Sequence, residues 1–147
     1  MGFDSQRRAG KREYVVDAKG NKAKFTYDVF DRLANWYFPN KTPPVAFNDS
    51  MPSLALSTSS TPDMADYEQY GYDLNGNRTS LRKRDGRLIG YSYDPLNRVT
   101  IKNIPGGTAA DVYYGYDLRG LQLSARFVSN AGQGITNVYD GFGVSLR

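Results

Sequence analysis

The chain has 147 residues, a formal net charge of +4 and 14% aromatic residues, including 12 tyrosines, and it contains no cysteine or histidine. This composition fits one slightly basic domain, and it excludes disulfide bonds, zinc sites built on cysteine or histidine, and nucleophiles activated by histidine. No apolar run approaches the ~18 residues of a membrane-spanning helix, and the basic N-terminus lacks the apolar segment of a signal peptide.

At six places an aspartate closes a short strand-like run, and Gly, Asn or Asp follows it three residues later. The aspartates are Asp17, Asp28, Asp73, Asp94, Asp117 and Asp140, and the later residues are Gly20, Asp31, Gly76, Asn97, Gly120 and Gly143. The last four aspartates are 21, 23 and 23 residues apart. A fixed period near 20 residues predicts a repeat architecture.

The sequence around each aspartate predicts a strand, a tight turn and a returning strand. In Tyr70-Gly71-Tyr72 the two rings lie at i and i+2, so they share one face of a strand. The aspartate opens the turn, because its carboxylate accepts hydrogen bonds from backbone N–H groups one or two residues on. The residue three positions later tolerates the positive φ that such turns demand.

A basic residue follows the turn in four of the repeats. These residues are Lys22, Arg32, Arg78 and Arg98. Their spacing is compatible with an ion pair back to the aspartate, which contributes under about 1 kcal/mol where it is exposed.

In chain order, residues 1–13 form a polar lead-in, or a strand that continues from upstream sequence, and residues 14–38 hold the first two repeats. Asp17 and Asp28 are only 11 residues apart, which is half a period. One of these two units can therefore be the return strand of the other.

Residues 39–66 break the pattern. They hold five prolines and, between Ser50 and Thr61, seven Ser or Thr residues, which is the composition of a loop. We expect a surface excursion that replaces one hairpin, with room for a short strand at Val45–Phe47 or Leu54–Leu56.

Residues 67–147 are the most regular part and hold the remaining repeats. Asp85-Gly86 is a strong hairpin signal between two strand-like runs, Pro105-Gly106-Gly107 marks a later turn, and Asn130–Gly134 marks a further hairpin. No apolar period of 3.6 residues is sustained. The sequence therefore predicts an all-β fold of repeated antiparallel hairpins with little helix.

Charged clusters admit catalytic or metal-binding interpretations, but turn chemistry explains them better. Asp28 and Asp31 form a close carboxylate pair, and both are turn residues of a repeat. The segment that starts at Asp73 mimics a calcium loop, yet the glycine and glutamate positions of an EF-hand hold Arg78 and Arg84. We therefore expect no enzyme, no metal site and no cofactor.

Two binding alternatives come from the basic and aromatic residues. The basic cluster could contact phosphate, with tyrosines as stacking partners, and consists of Arg78, Arg82, Lys83, Arg84 and Arg87. Lys and Arg more commonly protect an exposed sheet, so we expect no nucleic acid. The tyrosine rows could hold a glycan, whereas packing across strands better explains tyrosine in every unit.

Two stretches, Tyr70–Thr79 (YGYDLNGNRT) and Tyr91–Val99 (YSYDPLNRV), closely resemble the tyrosine-aspartate (YD) repeats of the Rhs family, which also occur in the C components of insecticidal Tc toxins and in teneurins. Tyr114–Gly120 and Phe25–Leu33 are weaker matches. The resemblance covers residues 14–38 and 67–147. Its structural motif comprises Tyr27, Asp28, Tyr70, Tyr72, Asp73, Gly76, Asn77, Arg78, Tyr91, Tyr93, Asp94, Asn97, Arg98, Tyr114, Tyr116, Asp117, Gly120, Tyr139 and Asp140.

The resemblance implies a curved, spiralling sheet that forms the wall of a hollow shell. In bacterial members the shell encloses a toxin made as the C-terminal end of the same chain, which implies a protein that is secreted or on the cell surface. The family's self-cleavage segment has Asp-Pro-x-Gly character. Neither Asp94-Pro95-Leu96-Asn97 nor Asp140-Gly141-Phe142-Gly143 reproduces it, so self-cleavage and toxicity are not implied.

A shell around a cargo of about 100 residues needs some 23 strands per turn, at about 4.8 Å per strand around a circumference above about 110 Å. This chain supplies about eight to ten strands, and its terminal strands leave edges that invite pairing. The leading hypothesis is a non-catalytic structural segment, cut from a longer array, whose partners are neighbouring repeats, other copies at open edges and a toxin cargo. The alternative is a surface-exposed module that binds glycan or protein, or a self-assembling extracellular structural protein.

Overall fold

The computed structural model of the protein describes residues 10–105, 111–140 and 145–146. Ten strands form one antiparallel sheet in which each strand lies beside its neighbours in the sequence, and a separate pair, β11 and β12, forms a two-stranded sheet. The bounds are β1 Tyr14–Val16, β2 Lys22–Tyr27, β3 Leu33–Pro39, α1 Pro52–Thr58, β4 Pro62–Tyr72, β5 Arg78–Arg82, β6 Leu88–Tyr93, β7 Val99–Asn103, β8 Val112–Tyr116, β9 Gln122–Phe127, β10 Gly134–Thr136, β11 Val138–Tyr139 and β12 Ser145–Leu146. The predicted all-β fold is confirmed.

The chain divides into two compact units, Met1–Glu68 and Gln69–Arg147. The first contains β1, β2, β3, α1 and the start of β4, and the second contains the end of β4 and all later strands. Within the first unit β2 is both the return strand of the Asp17 hairpin and the strand that enters the Asp28 turn. Two turns of the same kind therefore fit within half a period.

The excursion between β3 and β4 contains a short helix at one of the two places where the sequence leaves room for a strand. Leu54–Leu56 lies inside α1, so the expectation of a strand there is wrong. Pro52 occupies the first turn, where its missing N–H costs nothing, and the Ser57 and Thr58 hydroxyls both donate to the Leu54 carbonyl. These serine and threonine bonds supply local order that composition alone does not reveal. Val45–Phe47 forms no strand either.

The excursion folds back onto the turn between β1 and β2. The Ser60 N–H donates to the Gly20 carbonyl at 2.8 Å, and the Ser60 hydroxyl accepts from the Lys22 N–H at 3.0 Å. Among the described residues only Gly20, Ala23 and Ser60 are buried. The most enclosed part of the described chain is therefore this junction, and β4 begins soon after it at Pro62.

Elsewhere the described side chains are exposed or only half-buried, so the described strands bury few side chains deeply. Half-buried aromatic side chains pack together in the first unit: Trp36 stacks on Phe25 at 5.8 Å and on Phe38 at 4.5 Å between ring centres. Such pairs contribute about 0.5–1.5 kcal/mol beyond their buried area. The fold must consequently draw much of its order from hydrogen bonds within and between hairpins.

No helix among the described residues is long and apolar enough to cross a membrane.

Replacing Gly20 with alanine should release the excursion. A Cβ at this position would lie 2.6 Å from the rings of Pro44 and Phe47, and Gly20 also has a φ of 79°. Left-handed backbone costs a non-glycine residue about 1–2 kcal/mol, and forced overpacking adds about 1–3 kcal/mol. We expect faster hydrogen exchange at the Ser60 amide and faster proteolysis within residues 40–61.

Gly76→Ala is the matched control, because Gly76 has a φ of 88° but a Cβ added there would meet no described atom within 4 Å beyond its chain neighbours. It should share the backbone cost without exposing residues 40–61. Equal protease sensitivity in the two variants would contradict the docking of the excursion.

Candidate functional site

The repeated site is a five-residue turn, seen clearly at Asp94. The Asp94 N–H donates to the Arg98 carbonyl at 3.0 Å, and the Asn97 N–H donates to the Asp94 carbonyl at 2.9 Å. Asn97 has a φ of 60°, which places it in the left-handed region. This is a type I turn followed by a left-handed residue, a common connection in three-residue hairpin loops.

The same two backbone bonds close six hairpins of the described chain. Their first residues are Asp17, Asp28, Asp73, Lys83, Asp94 and Asp117, and their left-handed residues are Gly20, Asp31, Gly76, Gly86, Asn97 and Gly120. The predicted turn from Asp140 to Gly143 lies mostly outside the described residues, as does most of the one at Pro105-Gly106-Gly107. In the described aspartate turns the left-handed residue therefore lies where the sequence predicts a positive φ.

The carboxylate of each turn aspartate accepts several hydrogen bonds at once. In Asp94 one oxygen accepts from the N–H groups of Leu96 and Arg98, at 2.9 and 3.0 Å. The other oxygen accepts from the Arg98 Nε at 2.7 Å. The side chain therefore bonds the turn from inside, which agrees with the predicted chemistry of aspartate in turns.

The second carboxylate oxygen accepts a hydrogen bond from a side chain. In four turns the donor lies four residues after the aspartate, and in the Asp117 turn it lies two residues after. The donors are Asn21 to Asp17, Arg32 to Asp28, Asn77 to Asp73, Arg98 to Asp94, and Arg119 to Asp117. Sequence reasoning missed the two asparagine donors in this role. A fixed offset of four from the aspartate, filled by Asn or Arg, is the signal that could have found them.

The four basic residues that follow the turns divide into two pairs. Arg32 and Arg98 form the expected ion pairs with the aspartates of their own turns, each at 2.7 Å. Lys22 instead donates to the Leu56 carbonyl at 3.1 Å. The Arg78 guanidinium lies over the rings of two tyrosines, 5.8 Å from Tyr70 and 5.3 Å from Tyr91.

The hairpin between β5 and β6 has the same backbone turn without an aspartate at its start. The Lys83 N–H donates to the Arg87 carbonyl at 2.8 Å, and Gly86 has a φ of 85°. Asp85 acts from inside the turn instead: it accepts from the Arg87 N–H and pairs with the Arg87 guanidinium at 2.7 Å. The predicted hairpin at Asp85-Gly86 is therefore present, built with a different carboxylate.

Hydrogen bonding lowers the pKa of the turn aspartates below the ordinary value. For Asp94 the largest cause is the backbone N–H of Arg98, and for Asp73 it is the side-chain amide of Asn77. The pKa is lowered in the same direction at Asp17, Asp28, Asp85 and Asp117. These carboxylates are thus held ionised as acceptors, the opposite of what a catalytic proton donor requires.

The tyrosine directly before a turn aspartate ties its hairpin to the preceding strand. The Tyr93 hydroxyl donates to the Arg78 carbonyl at 2.8 Å, and the Tyr116 hydroxyl donates to the Val99 carbonyl at 2.8 Å. Equivalent bonds run from Tyr27 to the Arg12 carbonyl and from Tyr139 to the Gln122 carbonyl. Each of these tyrosines therefore links one repeat to the one before it.

Neighbouring turns of the second unit are also bonded to one another. The Asn77 side-chain amide donates to the Asn97 side-chain carbonyl at 2.7 Å. An Arg98 guanidinium nitrogen donates to the Asp117 carbonyl at 3.1 Å, and the same group lies 4.7 Å from the centre of the Tyr116 ring. The turns that begin at Asp73, Asp94 and Asp117 therefore form a continuous bonded row.

A bulge follows each of the four turns in which tyrosine precedes the aspartate. In the Asp117 hairpin Gly115 pairs with Ser124 and Tyr116 pairs with Gln122, so Leu123 is an extra residue. The Asp28, Asp73 and Asp94 hairpins shift register at the same place. The hairpins with Val16 or Arg82 in the tyrosine position keep regular register.

Where glycine lies between paired tyrosines, it faces a serine on the return strand. Gly115 lies opposite Ser124, whose hydroxyl oxygen would be 2.7 Å from a Cβ on Gly115. Gly71 and Ser80 form the same kind of pair. The two strands thus approach closely on the face opposite the tyrosines.

The predicted motif residues occupy fixed places in the repeated hairpin. Those on strands that enter a turn are Tyr27, Tyr70, Tyr72, Tyr91, Tyr93, Tyr114, Tyr116 and Tyr139. Those within turns are Asp28, Asp73, Gly76, Asn77, Asp94, Asn97, Arg98, Asp117 and Gly120, while Arg78 starts β5 and Asp140 follows β11. No group of three or more carboxylates that could hold a metal ion occurs in the described ranges.

Comparison with known proteins agrees with this architecture. Residues 72–109 match the family model described as RHS Repeat. The fold is that of crystal structures described as TcdB2-TccC3-TEV (TM-score 0.65, 20% identity, 94% of this chain) and TcdB2-TccC3-Cdc42 (TM-score 0.61, 21% identity, 90% of this chain). This chain spans 6% of the length of each matched chain. No curated protein sequence matches it significantly.

These matches confirm the resemblance to Rhs-type YD repeats. The family model covers the three turns that begin at Asp73, Lys83 and Asp94, and the first and last of these are bonded to each other through Asn77 and Asn97.

Tyr116→Phe should weaken the link between two repeats while leaving each hairpin intact. The variant loses the bond to the Val99 carbonyl but keeps the ring beneath Arg98. We expect a loss of about 1 kcal/mol in the free energy of unfolding, measured by chemical denaturation. Tyr113→Phe is the control on the same strand, because the Tyr113 hydroxyl bonds to no described residue. A loss of equal size in both variants would contradict the proposed link.

The Asp94→Asn variant should be less stable than the natural chain at neutral pH, and the difference should shrink in acid. The natural pKa of Asp94 is lowered in the folded state. Its contribution is therefore complete above the ordinary aspartate value of about 3.9 and is lost as the pH falls through the lower folded value. Denaturation midpoints at pH values from neutral to about 2 test this. Asp49→Asn, outside the turns, should follow the natural chain throughout, and a constant gap for Asp94→Asn would overturn the assignment.

Proposed function

We propose that this chain is a non-catalytic wall segment of an Rhs-like YD-repeat protein. The observation that carries the proposal is a continuous sheet whose consecutive described hairpins are bonded to each other, while few described side chains are buried. Such a segment gains its rigidity from neighbours in the array, in the way of repeat proteins generally. Its division into a lead-in at 1–13, repeats at 14–38 and 67–147 and an insertion at 39–66 is part of the proposal.

The state of the acidic groups supports a structural role over catalysis. Each described turn aspartate accepts hydrogen bonds that favour its ionised form, so it is poorly suited to donate a proton or to attack as a free nucleophile. Asp28 and Asp31, a carboxylate pair three residues apart in the sequence, both belong to one turn. Asp28 already accepts from Arg32, and Asp31 supplies the left-handed residue.

The state of the tyrosines supports a wall over a glycan platform. The hydroxyls of Tyr93 and Tyr116 are committed to backbone carbonyls within the sheet. The face of Tyr70 and Tyr91 is partly occupied by the Arg78 guanidinium. A sugar would have to displace these groups, and we therefore rank binding of a glycan below the structural role.

Encapsulation of a toxin cargo and an extracellular location are the finer parts of the proposal. They rest on the shared fold with the TcdB2-TccC3 structures, of which this chain spans 6%. A wall segment in a longer array would have its sheet extended by further repeats, and the array would close around a separate part of the parent chain.

Electron microscopy of the full-length parent protein tests the proposal. We expect a particle with a wall one sheet thick around an internal volume, and a segment within it that resists protease. A solid particle without a cavity would contradict encapsulation. A parent in which residues 14–38 and 67–147 form a separate globular domain would contradict the wall itself.

A matched pair of parent variants sharpens the protease measurement. The double variant Tyr93→Phe, Tyr116→Phe removes two links between repeats, so it should open the wall and speed digestion of the enclosed segment. Tyr113→Phe should leave the digestion rate unchanged. Equal rates in all three proteins would mean that the tyrosine links do not seal the wall.

A further inference from the structure

Two tyrosine rings lie against each other at the base of the excursion. Tyr37 is on β3 and Tyr67 is on β4, and these strands are neighbours in the ten-stranded sheet. The ring centres are 5.6 Å apart and the ring planes are tilted by 39°. Aromatic rings that contact each other have centres about 4.5–7 Å apart. The two phenols are therefore in direct contact within the first unit of the chain.

The position of this pair gives a bond between the rings a defined effect. Tyr37 lies near the end of β3 and Tyr67 near the middle of β4, so the whole excursion lies between them in the sequence. The chain contains no cysteine, so a disulfide bond cannot join the two strands here. A bond between the rings would close the chain into a loop, as a disulfide does, and would restrict the unfolded chain in the same way.

A third tyrosine on the same face is kept apart from this pair. Tyr14 lies opposite Lys24, and Lys24 lies opposite Tyr37, so all three share one face of the sheet. The Lys24 ammonium is 6.0 Å from the centre of the Tyr14 ring. Neighbouring strands are about 4.8 Å apart, which places Tyr14 and Tyr37 about 10 Å apart across β2. Tyr14 is therefore a matched control for the contacting pair.

We propose that Tyr37 and Tyr67 form an intramolecular dityrosine cross-link when a haem peroxidase and hydrogen peroxide act on the chain. Both residues are half-buried, so part of each remains open to solvent. The oxidised peroxidase removes one electron and one proton from each phenol. The two phenoxyl radicals then join through ring carbons next to the hydroxyl-bearing carbons.

The remaining steps restore both phenols and consume the oxidant. The hydrogen on each newly bonded ring carbon moves to the adjacent oxygen. One molecule of hydrogen peroxide takes up both electrons and both protons and leaves as two molecules of water. The product is a single carbon–carbon bond between β3 and β4.

The cross-link fastens the excursion at its base. A protease that cuts within residues 40–61 would then leave the two parts of the chain covalently joined. The bond depends only on the contact between Tyr37 and Tyr67, and it goes beyond the wall proposed above. A parent protein without a cavity would leave the cross-link intact, and a chain that forms no cross-link would leave the wall proposal intact.

Cleavage at methionine detects the bond, because Met51 and Met64 both lie between the two tyrosines and the third methionine is Met1. The natural chain is oxidised with a haem peroxidase and hydrogen peroxide, and the monomer is isolated by size exclusion in denaturant. Methionine sulfoxide is reduced, and the chain is cleaved with cyanogen bromide. Fragment 2–51 should remain joined to fragment 65–147, whereas the two fragments should separate without oxidation.

Three variants that replace tyrosine with phenylalanine locate the bond. Tyr37→Phe and Tyr67→Phe keep an aromatic ring but lack the phenol, so their fragments should separate after oxidation. Tyr14→Phe should behave as the natural chain does. The proposal would be overturned by a natural chain whose fragments separate, by a joined product at the natural yield in Tyr37→Phe or Tyr67→Phe, or by its loss in Tyr14→Phe.

Mass spectrometry of the natural chain gives a test that does not depend on the folding of any variant. Trypsin produces peptides 33–41 and 42–78, of which the first contains Tyr37 and the second contains Tyr67, Tyr70 and Tyr72. These peptides should be linked after oxidation, and fragmentation should place the bond between Tyr37 and Tyr67. The same treatment in denaturant should lose this selectivity. A bond placed at Tyr70 or Tyr72 in the folded chain would overturn the assignment.

Discussion

A sheet that buries few of its side chains deeply must be held together along its own plane. In this chain the carboxylate of the aspartate at the start of a turn holds the hairpin together locally. It accepts hydrogen bonds from N–H groups that the backbone bonds of a tight turn leave without a partner. In Asp94 three donors converge on one side chain, which fixes both the loop and the start of the return strand. Everything built on the sheet depends on that rigidity, because few side chains are buried deeply enough to supply it by apolar packing.

Rigid hairpins become a wall only if they are joined to one another. The tyrosine before the aspartate makes this second connection through a hydroxyl that reaches back to the preceding strand, as Tyr116 does to Val99. One short motif thus contains a bond within the repeat and a bond between repeats. The motif explains why aromatic residues recur at a fixed spacing although few of the described side chains are buried.

Sequence reasoning found the hairpins because both of their signals are local. The aspartate and the residue with positive φ lie only three positions apart in the sequence. The paired tyrosines lie two positions apart, which is the period of a strand. The partners of the basic residues were harder to predict from the sequence. Arg98 forms an ion pair with the aspartate of its own turn, whereas Arg78 lies over a tyrosine ring. Which partner an arginine takes depends on the strand that lies beside it. The helix at Pro52–Thr58 escaped notice because seven residues are too few to show a period, and side-chain bonds to the Leu54 carbonyl help to hold it.

The connections between strands are not equal on the two sides of the meander. Those that follow β2, β4, β6 and β8 are all five-residue aspartate turns, and three of them are bonded in a row. Those that follow β1, β3, β5 and β7 are of four kinds: the Asp17 turn, the excursion, the Lys83 turn without an aspartate at its start, and the segment between Asn103 and Val112. New sequence can therefore enter at one border of the sheet without breaking the row at the other. Such an architecture can acquire loops of different lengths, and the binding specificity that those loops confer, while the spacing of its repeats stays unchanged.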